Sequence, residues 1–121
     1  MAALITPFDE TGAIDAAAHR HNLRQLTDWG LNGFLIGGST GQGPYLEPGE
    51  RTTLTTTARD ELGAAAFLLT GVSAQSVRQA LAQIREAVDG EADAVLVTTP
   101  TMLLRKDAKL VESFYLAVAD Q

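Results

Sequence analysis

Residues 37 to 43 read Gly-Gly-Ser-Thr-Gly-Gln-Gly, between the apolar run Gly33-Phe34-Leu35-Ile36 and Pro44-Tyr45-Leu46. Four glycines in seven residues carry a backbone-entropy cost that a fold keeps for a special conformation or a close approach. After a strand, such glycines let backbone N–H groups converge on a ligand, and a following helix N-terminus adds positive potential. Ser39 and Thr40 add two hydroxyl donors. The set suits a carboxylate or a phosphate. It is not a P-loop, because Pro44 follows Gly43 and no lysine comes next. Nor is it a dinucleotide fingerprint, since Gly41-Gln42-Gly43 is followed by Pro44-Tyr45-Leu46 and the third glycine is missing. By itself the stretch also fits a plain turn.

Other groups able to do chemistry are few. The only lysines are Lys106 and Lys109, both in a polar stretch that suits solvated side chains rather than a desolvated nucleophile. His19 and His21 lie two apart on a helical pattern, so they face different ways and cannot share a metal; both read as surface residues. Asp9-Glu10 reads as a turn, and Glu47, Glu50 and Arg51 read as groups tuning a helix start. Tyr45 fits either the ligand loop or packing beneath it. There is no cysteine, which excludes disulfides, thiolate catalysis and Cys-ligated metals.

The elements that must position these residues follow a repeat. Four apolar runs recur at Ala3–Ile5, Gly33–Ile36, Phe67–Leu69 and Ala94–Val97, about 30 residues apart, the length of one βα unit. Each is followed by small or polar residues: Thr6-Pro7, Gly38-Ser39-Thr40, Gly71-Val72-Ser73 and Thr98-Thr99-Pro100. Between the runs lie helical patterns. Asp15 caps the first, with Leu23 and Leu26 inward and a stop near Trp29-Gly30. The second starts around Glu47-Pro48, carries Leu54, Ala58 and Leu62, and stops at Gly63. Ser73 is expected to cap the third, with Val77, Leu81, Ile84 and Val88 as its apolar stripe. The fourth runs from Asp107 to Ala119 and buries Leu110, Val111, Phe114 and Val118. Strands that are continuously apolar predict a parallel sheet covered by helices. The pattern βαβαβαβα fits either four units of a (β/α)8 barrel or a small doubly wound sheet. In both, chemistry sits at the C-terminal strand ends.

The strings ALITPFDETGAID, GSTGQGPYLEPGER, LLTGVS and ADAVLVTTP, in that order, resemble the dihydrodipicolinate synthase / N-acetylneuraminate lyase family across essentially the whole chain. The resemblance implies an α/β fold of the TIM (β/α)8 barrel type, with residues 1–121 as one domain forming the N-terminal half barrel. It implies a class I aldolase or related lyase that holds pyruvate or another 2-oxo acid as a lysine Schiff base, an iminium electron sink. On that basis Ser39, Thr40, Gly38 and Gly41 bind the keto-acid carboxylate, with Thr40 the direct partner and Ser39 nearer a proton relay. Thr6 and Pro7 line the floor beside the reacting carbon. The Schiff-base lysine and its tyrosine partner are expected beyond Gln121, so no catalytic residue is assigned within the chain. Two positions depart from the family pattern: Gln42 replaces a glutamate, and Thr101-Met102-Leu103-Leu104 carries no tyrosine where the synthases place a relay. The lysine-pathway synthase and a lyase of other 2-oxo acids therefore both stay open.

Bulk properties bound the partners. The net charge is −6, with nine dispersed cationic residues, which argues against nucleic acid or an anionic membrane. No apolar run approaches spanning length, and the N-terminus lacks a secretory pattern, so a cytoplasmic location is expected. No cofactor and no metal are expected. The family resemblance implies a homo-oligomer, a dimer or tetramer. Two other readings remain: a non-catalytic half-barrel assembly module, and a doubly wound phosphate or flavin binder.

Overall fold

The computed structural model describes residues 1–101 and 107–121. Its order is β1 (Ala2–Ala3), α1 (Ala16–Asp28), β2 (Gly33–Ile36), α2 (Glu50–Leu62), β3 (Phe67–Val72), α3 (Val77–Asp89), β4 (Ala94–Val97) and α4 (Ala108–Ala119). The strands form one parallel sheet in the order β1-β2-β3-β4. Register runs straight across, with Ala3 opposite Leu35, Leu35 opposite Leu69 and Leu69 opposite Ala94.

Strand order and helix packing decide between the two architectures. A doubly wound sheet reverses its strand order at a switch point and carries helices on both faces. Here the order never reverses, and α1 packs on α2, α2 on α3 and α3 on α4. The sheet is singly wound, with one face covered by a row of helices. Alternation along the strands matches: Phe34, Ile36, Leu68 and Val72 are fully buried. Their neighbours on the other face, Phe67 and Leu96, are 45% and 44% exposed.

One apolar cluster joins Leu4, Leu23, Phe34, Ile36, Leu54, Ala58, Ala66 and Leu68 under α1 and α2. A second, smaller one joins Val72, Ala74, Ala80 and Phe114 under α3 and α4. At the N-terminal strand ends, Arg59 donates to the carbonyls of Gly63, Ala66 and Glu91 and to the Asp93 carboxylate. Asp93 also accepts from Leu68 N at 2.7 Å, tying β3 to the turn before β4.

Several boundaries differ from the sequence expectation. β1 pairs only through Ala2–Ala3, because the chain turns off after Leu4 toward the Thr6-Pro7 corner. α2 begins at Glu50, not at Glu47-Pro48, since Gly49 adopts φ +88 and blocks an earlier helical turn. α3 is capped by Ser76, whose hydroxyl accepts from Gln79 N, not by Ser73. Ser73 lies before the helix, its backbone N–H and C=O both bonded to the Gln83 side chain. α3 buries Ala80 and Ala87 most deeply and leaves Val88 65% exposed, so small residues seat it on the sheet and on α2. On α4, Phe114 is buried but Leu110 is exposed. The Asp15 cap and the Gly63 stop are as the sequence predicts, and Asp107, the expected start of the fourth helix, is its cap.

Candidate functional site

β2 ends at Ile36, and Gly37, at φ +62, turns the chain over the C-terminal edge of the sheet. The loop then folds on itself. Gly43 N donates to Gly38 O at 2.9 Å, and Gln42 N donates to Ser39 O at 3.1 Å. Gln42 takes a left-handed conformation, and Gly43–Tyr45 form a single 3-10 turn with Pro44 in its second position. Gly38 and Gly41 are buried, whereas the Ser39 and Thr40 side chains are exposed at the tip. A pinned backbone thus presents two hydroxyls outward at the strand ends.

Neighbouring strands hold this loop from both sides. From the β1 side, the buried Thr6 hydroxyl donates to Gly41 O at 2.6 Å. Pro7 is half-buried, and its carbonyl accepts from Asp15 N at 2.9 Å, which fixes the entry to α1. From the β3 side, Gly71 lies directly against the loop. A Cβ at Gly43 or at Gly71 would fall far inside van der Waals contact of the Gly37 carbonyl oxygen, so no larger residue fits at either position.

Beneath the loop lies Arg51, 1% exposed, the largest fully buried side chain described. Its Nε donates to Gly71 O at 2.9 Å, and its Nη2 donates to Gly43 O at 2.9 Å. Nη1 reaches Glu86 Oε2 at 3.4 Å. Burial lowers the Arg51 pKa, and the Glu86 carboxylate opposes that shift. A guanidinium nevertheless keeps its proton in a protein, so a fixed positive charge sits under the loop. Arg51 is not a surface group tuning a helix start, as its position beside Glu50 suggests. The signal for its role is its place in the first turn of a helix whose N-terminus packs beneath a glycine-rich loop.

The ends of β3 and β4 contribute a hydroxyl cluster. Thr98 Oγ1 donates to Val72 O at 3.2 Å and lies 3.5 Å from Ser73 Oγ. Tyr115 of α4 donates its phenolic hydrogen to Val97 O at 3.2 Å and accepts from Thr99 Oγ1 at 2.9 Å. Pro100 beside them is fully buried. Tyr115, which the sequence reading passed over, therefore locks α4 to the end of β4.

Of the remaining candidates, Asp9 accepts from Thr11 N, Thr11 Oγ1 and Ala13 N. These bonds hold its carboxyl below the usual carboxylate range and make it a turn residue, as expected. His21 is exposed, but His19 is buried against α2, contrary to the surface reading. Tyr45 is 80% exposed and packs under nothing. Lys109 is exposed on α4, while Lys106 and the Met102 to Leu104 stretch lie outside the described residues. Among the described residues, no three His, Asp or Glu side chains converge as a metal site would need.

The whole of this frame matches known proteins. The profile of the dihydrodipicolinate synthetase family matches residues 1–121. The chain belongs to that family. A 4-hydroxy-tetrahydrodipicolinate synthase from Corynebacterium aurimucosum is 32% identical over 98% of this chain and 39% of its own length. The corresponding protein of Synechococcus sp. strain CC9605 is 36% identical over 81% of this chain and 32% of its own. A solved dihydrodipicolinate synthase family protein from Coccidioides immitis superposes with a TM-score of 0.90 at 32% identity, over 98% of this chain and 39% of that one. The chain spans under two fifths of the length of these relatives. The four βα units are thus half of the (β/α)8 barrel of this family, and the doubly wound alternative falls with the strand order. Among the described residues no helix is long and apolar enough to cross a membrane.

Proposed function

We propose that this chain supplies the carboxylate-binding half of a Schiff-base lyase acting on pyruvate or a related 2-oxo acid. The observation that carries the reading is the loop of residues 37–43. It presents the Ser39 and Thr40 hydroxyls at the C-terminal strand ends, while its backbone is tied to the ends of β1 and β3. Hydroxyls and amides held in place before the ligand arrives lower the ordering cost of binding an anion. Thr40 is the direct carboxylate partner and Ser39 the neighbour of the proton relay, with the Gly38 and Gly41 amides beside them. Thr6 has a more definite part than lining the floor: its hydroxyl holds the loop from the β1 side, and Pro7 shapes the wall.

The bond chemistry needs an amine nucleophile. Lys109 is exposed on α4. An exposed position there offers none of the desolvated surroundings that make a lysine a Schiff-base nucleophile. On the family resemblance, the Schiff-base lysine and its tyrosine partner are assigned to polypeptide outside residues 1–121. Residues 1–121 then serve as one domain, the N-terminal half of a barrel in a cytoplasmic homo-oligomer. The tyrosine-free segment after Pro100 favours a 2-oxo acid lyase over the lysine-pathway synthase.

Borohydride reduction of the full gene product in the presence of pyruvate tests the reading. A single reduced adduct on one lysine is expected, and Thr40→Val should raise the half-saturating pyruvate concentration about tenfold. An intact mass with no adduct at saturating pyruvate would count against it.

A further inference from the structure

A buried arginine is expensive unless each of its donors meets an acceptor. In Arg51 each of the three guanidinium nitrogens has one acceptor, from three separate parts of the fold: Gly43 O in the loop, Gly71 O in β3 and Glu86 in α3. Two of these acceptors are carbonyls flanking the closest approach in the region, where Gly43 and Gly71 press on the Gly37 carbonyl. Thr6 holds the loop at Gly41 from the other side. Together these bonds fix both halves of the segment between Gly37 and Gly43, and only its tip carries free hydroxyls.

We propose that Arg51 is the positioning residue of the carboxylate loop. Its fork, bonded to Gly43 O and Gly71 O, sets the loop against β3 so that Ser39, Thr40 and the neighbouring amides stand ready for the anion. This rests on the carboxylate reading above. The requirement is for a planar fork with two donors at a fixed spacing, not for a charge alone. A lysine ammonium carries its three donors on one atom at the end of a flexible stem, so it does not reproduce two donors held at a fixed spacing. Glu86 has a lesser part: it partly offsets the buried charge, but it bonds neither carbonyl.

Amide hydrogen exchange and pyruvate saturation of the full gene product test the proposal in Arg51→Lys, Arg51→Met and Glu86→Gln. In Arg51→Lys, amides 38–43 should exchange about tenfold faster, while peptides from α1 and α4 keep their wild-type rates. The pyruvate concentration for half-maximal borohydride trapping should rise about tenfold, with the limiting yield unchanged, because the lysine nucleophile is intact. Glu86→Gln should leave loop exchange near wild type. Unchanged loop exchange in Arg51→Lys would overturn the proposal. So would faster exchange spread equally over all peptides, which makes Arg51 a general stability residue, or unchanged pyruvate saturation with a loosened loop. Should the wild-type protein trap no pyruvate, the functional reading fails, and the exchange comparison alone decides the role of Arg51. If Arg51→Met unfolds, the lysine variant carries the comparison.

Discussion

His19 is buried at the α1–α2 contact, 1% exposed, with Nε2 donating to Leu54 O at 3.2 Å. Nδ1 is buried without a hydrogen-bond partner, so it carries the lone pair of a neutral ring. Burial depresses the pKa below 6.5, the Leu54 carbonyl pulls it back up, and nearby Arg20 depresses it further. The unfolded chain, titrating near 6.5, therefore binds more protons than the folded one just below that pH. Stability should rise with pH across this window and fall as the solution is acidified through 6.5. The carboxyls of Asp9, Glu61 and Asp93 are also depressed, but from ordinary values of 4.5 or less, so their losses come at lower pH. Urea unfolding at about pH 7.5 and about pH 5.5 should show a drop in the wild type that His19→Gln largely removes. Equal drops in both proteins would mean that His19 titrates as an exposed imidazole does. Helical spacing cannot reveal this burial. Periodicity gives His19 the face of Leu23, but a polar side chain on that face reads as a boundary residue until α2 is seen packed over it.

Single elements were legible where one local rule acts alone. β2 and β4 match their apolar runs residue for residue, and Asp15 caps its helix because a carboxylate before a helical pattern has few other uses. The start of α3 is ambiguous in the sequence because Ser73 and Ser76 both satisfy the capping rule. The choice fell to a long-range contact, Gln83 bonding both backbone groups of Ser73 and so holding it out of the helix. The two serines thus separate in a stability measurement. Ser76→Ala should cost about 1 kcal/mol through the lost cap. Ser73→Ala should cost under about 0.5 kcal/mol, since the short bonds at Ser73 use its backbone and its hydroxyl meets only Thr98 Oγ1, at 3.5 Å. Chemical denaturation of the two variants checks the order, and a larger loss at Ser73 would restore it as the cap. The candidate site divides the same way. The loop of residues 37–43 was visible in the sequence because glycine clustering is local, whereas Arg51 bonds to residues 8 and 20 positions away and looked like any first-turn cation.

The whole molecule carries an unusual distribution of apolar surface. Helices cover one face of the sheet, while Ile5, Phe67 and Leu96 are 58%, 45% and 44% exposed on the other side of it. β1 and β4 are the outer strands of the described sheet, each with one side unmatched by another described strand. Beside β1, Ala3, Ile5, Leu26 and Trp29 line a groove of about 320 Å³, and Trp29 is 74% exposed. In an eight-stranded barrel that inner face is filled by side chains from all the strands, and closure removes both edges. The relatives extend well beyond the part that this chain covers, which gives their inner face a source of cover. Residues 1–121 produced alone have only one another. Fully covering a leucine, isoleucine or phenylalanine contributes about 1.5–3 kcal/mol, and several such side chains lie on one surface beside two open strand edges. The isolated 121-residue chain should therefore self-associate. Light scattering behind size exclusion should give a mass of a dimer or above that falls on dilution. Leu96→Lys, which places a charge on the inner face without touching the cluster under α3, should shift the population toward monomer. A monodisperse wild-type monomer would sink the expectation and require that the inner face be wetted at little cost.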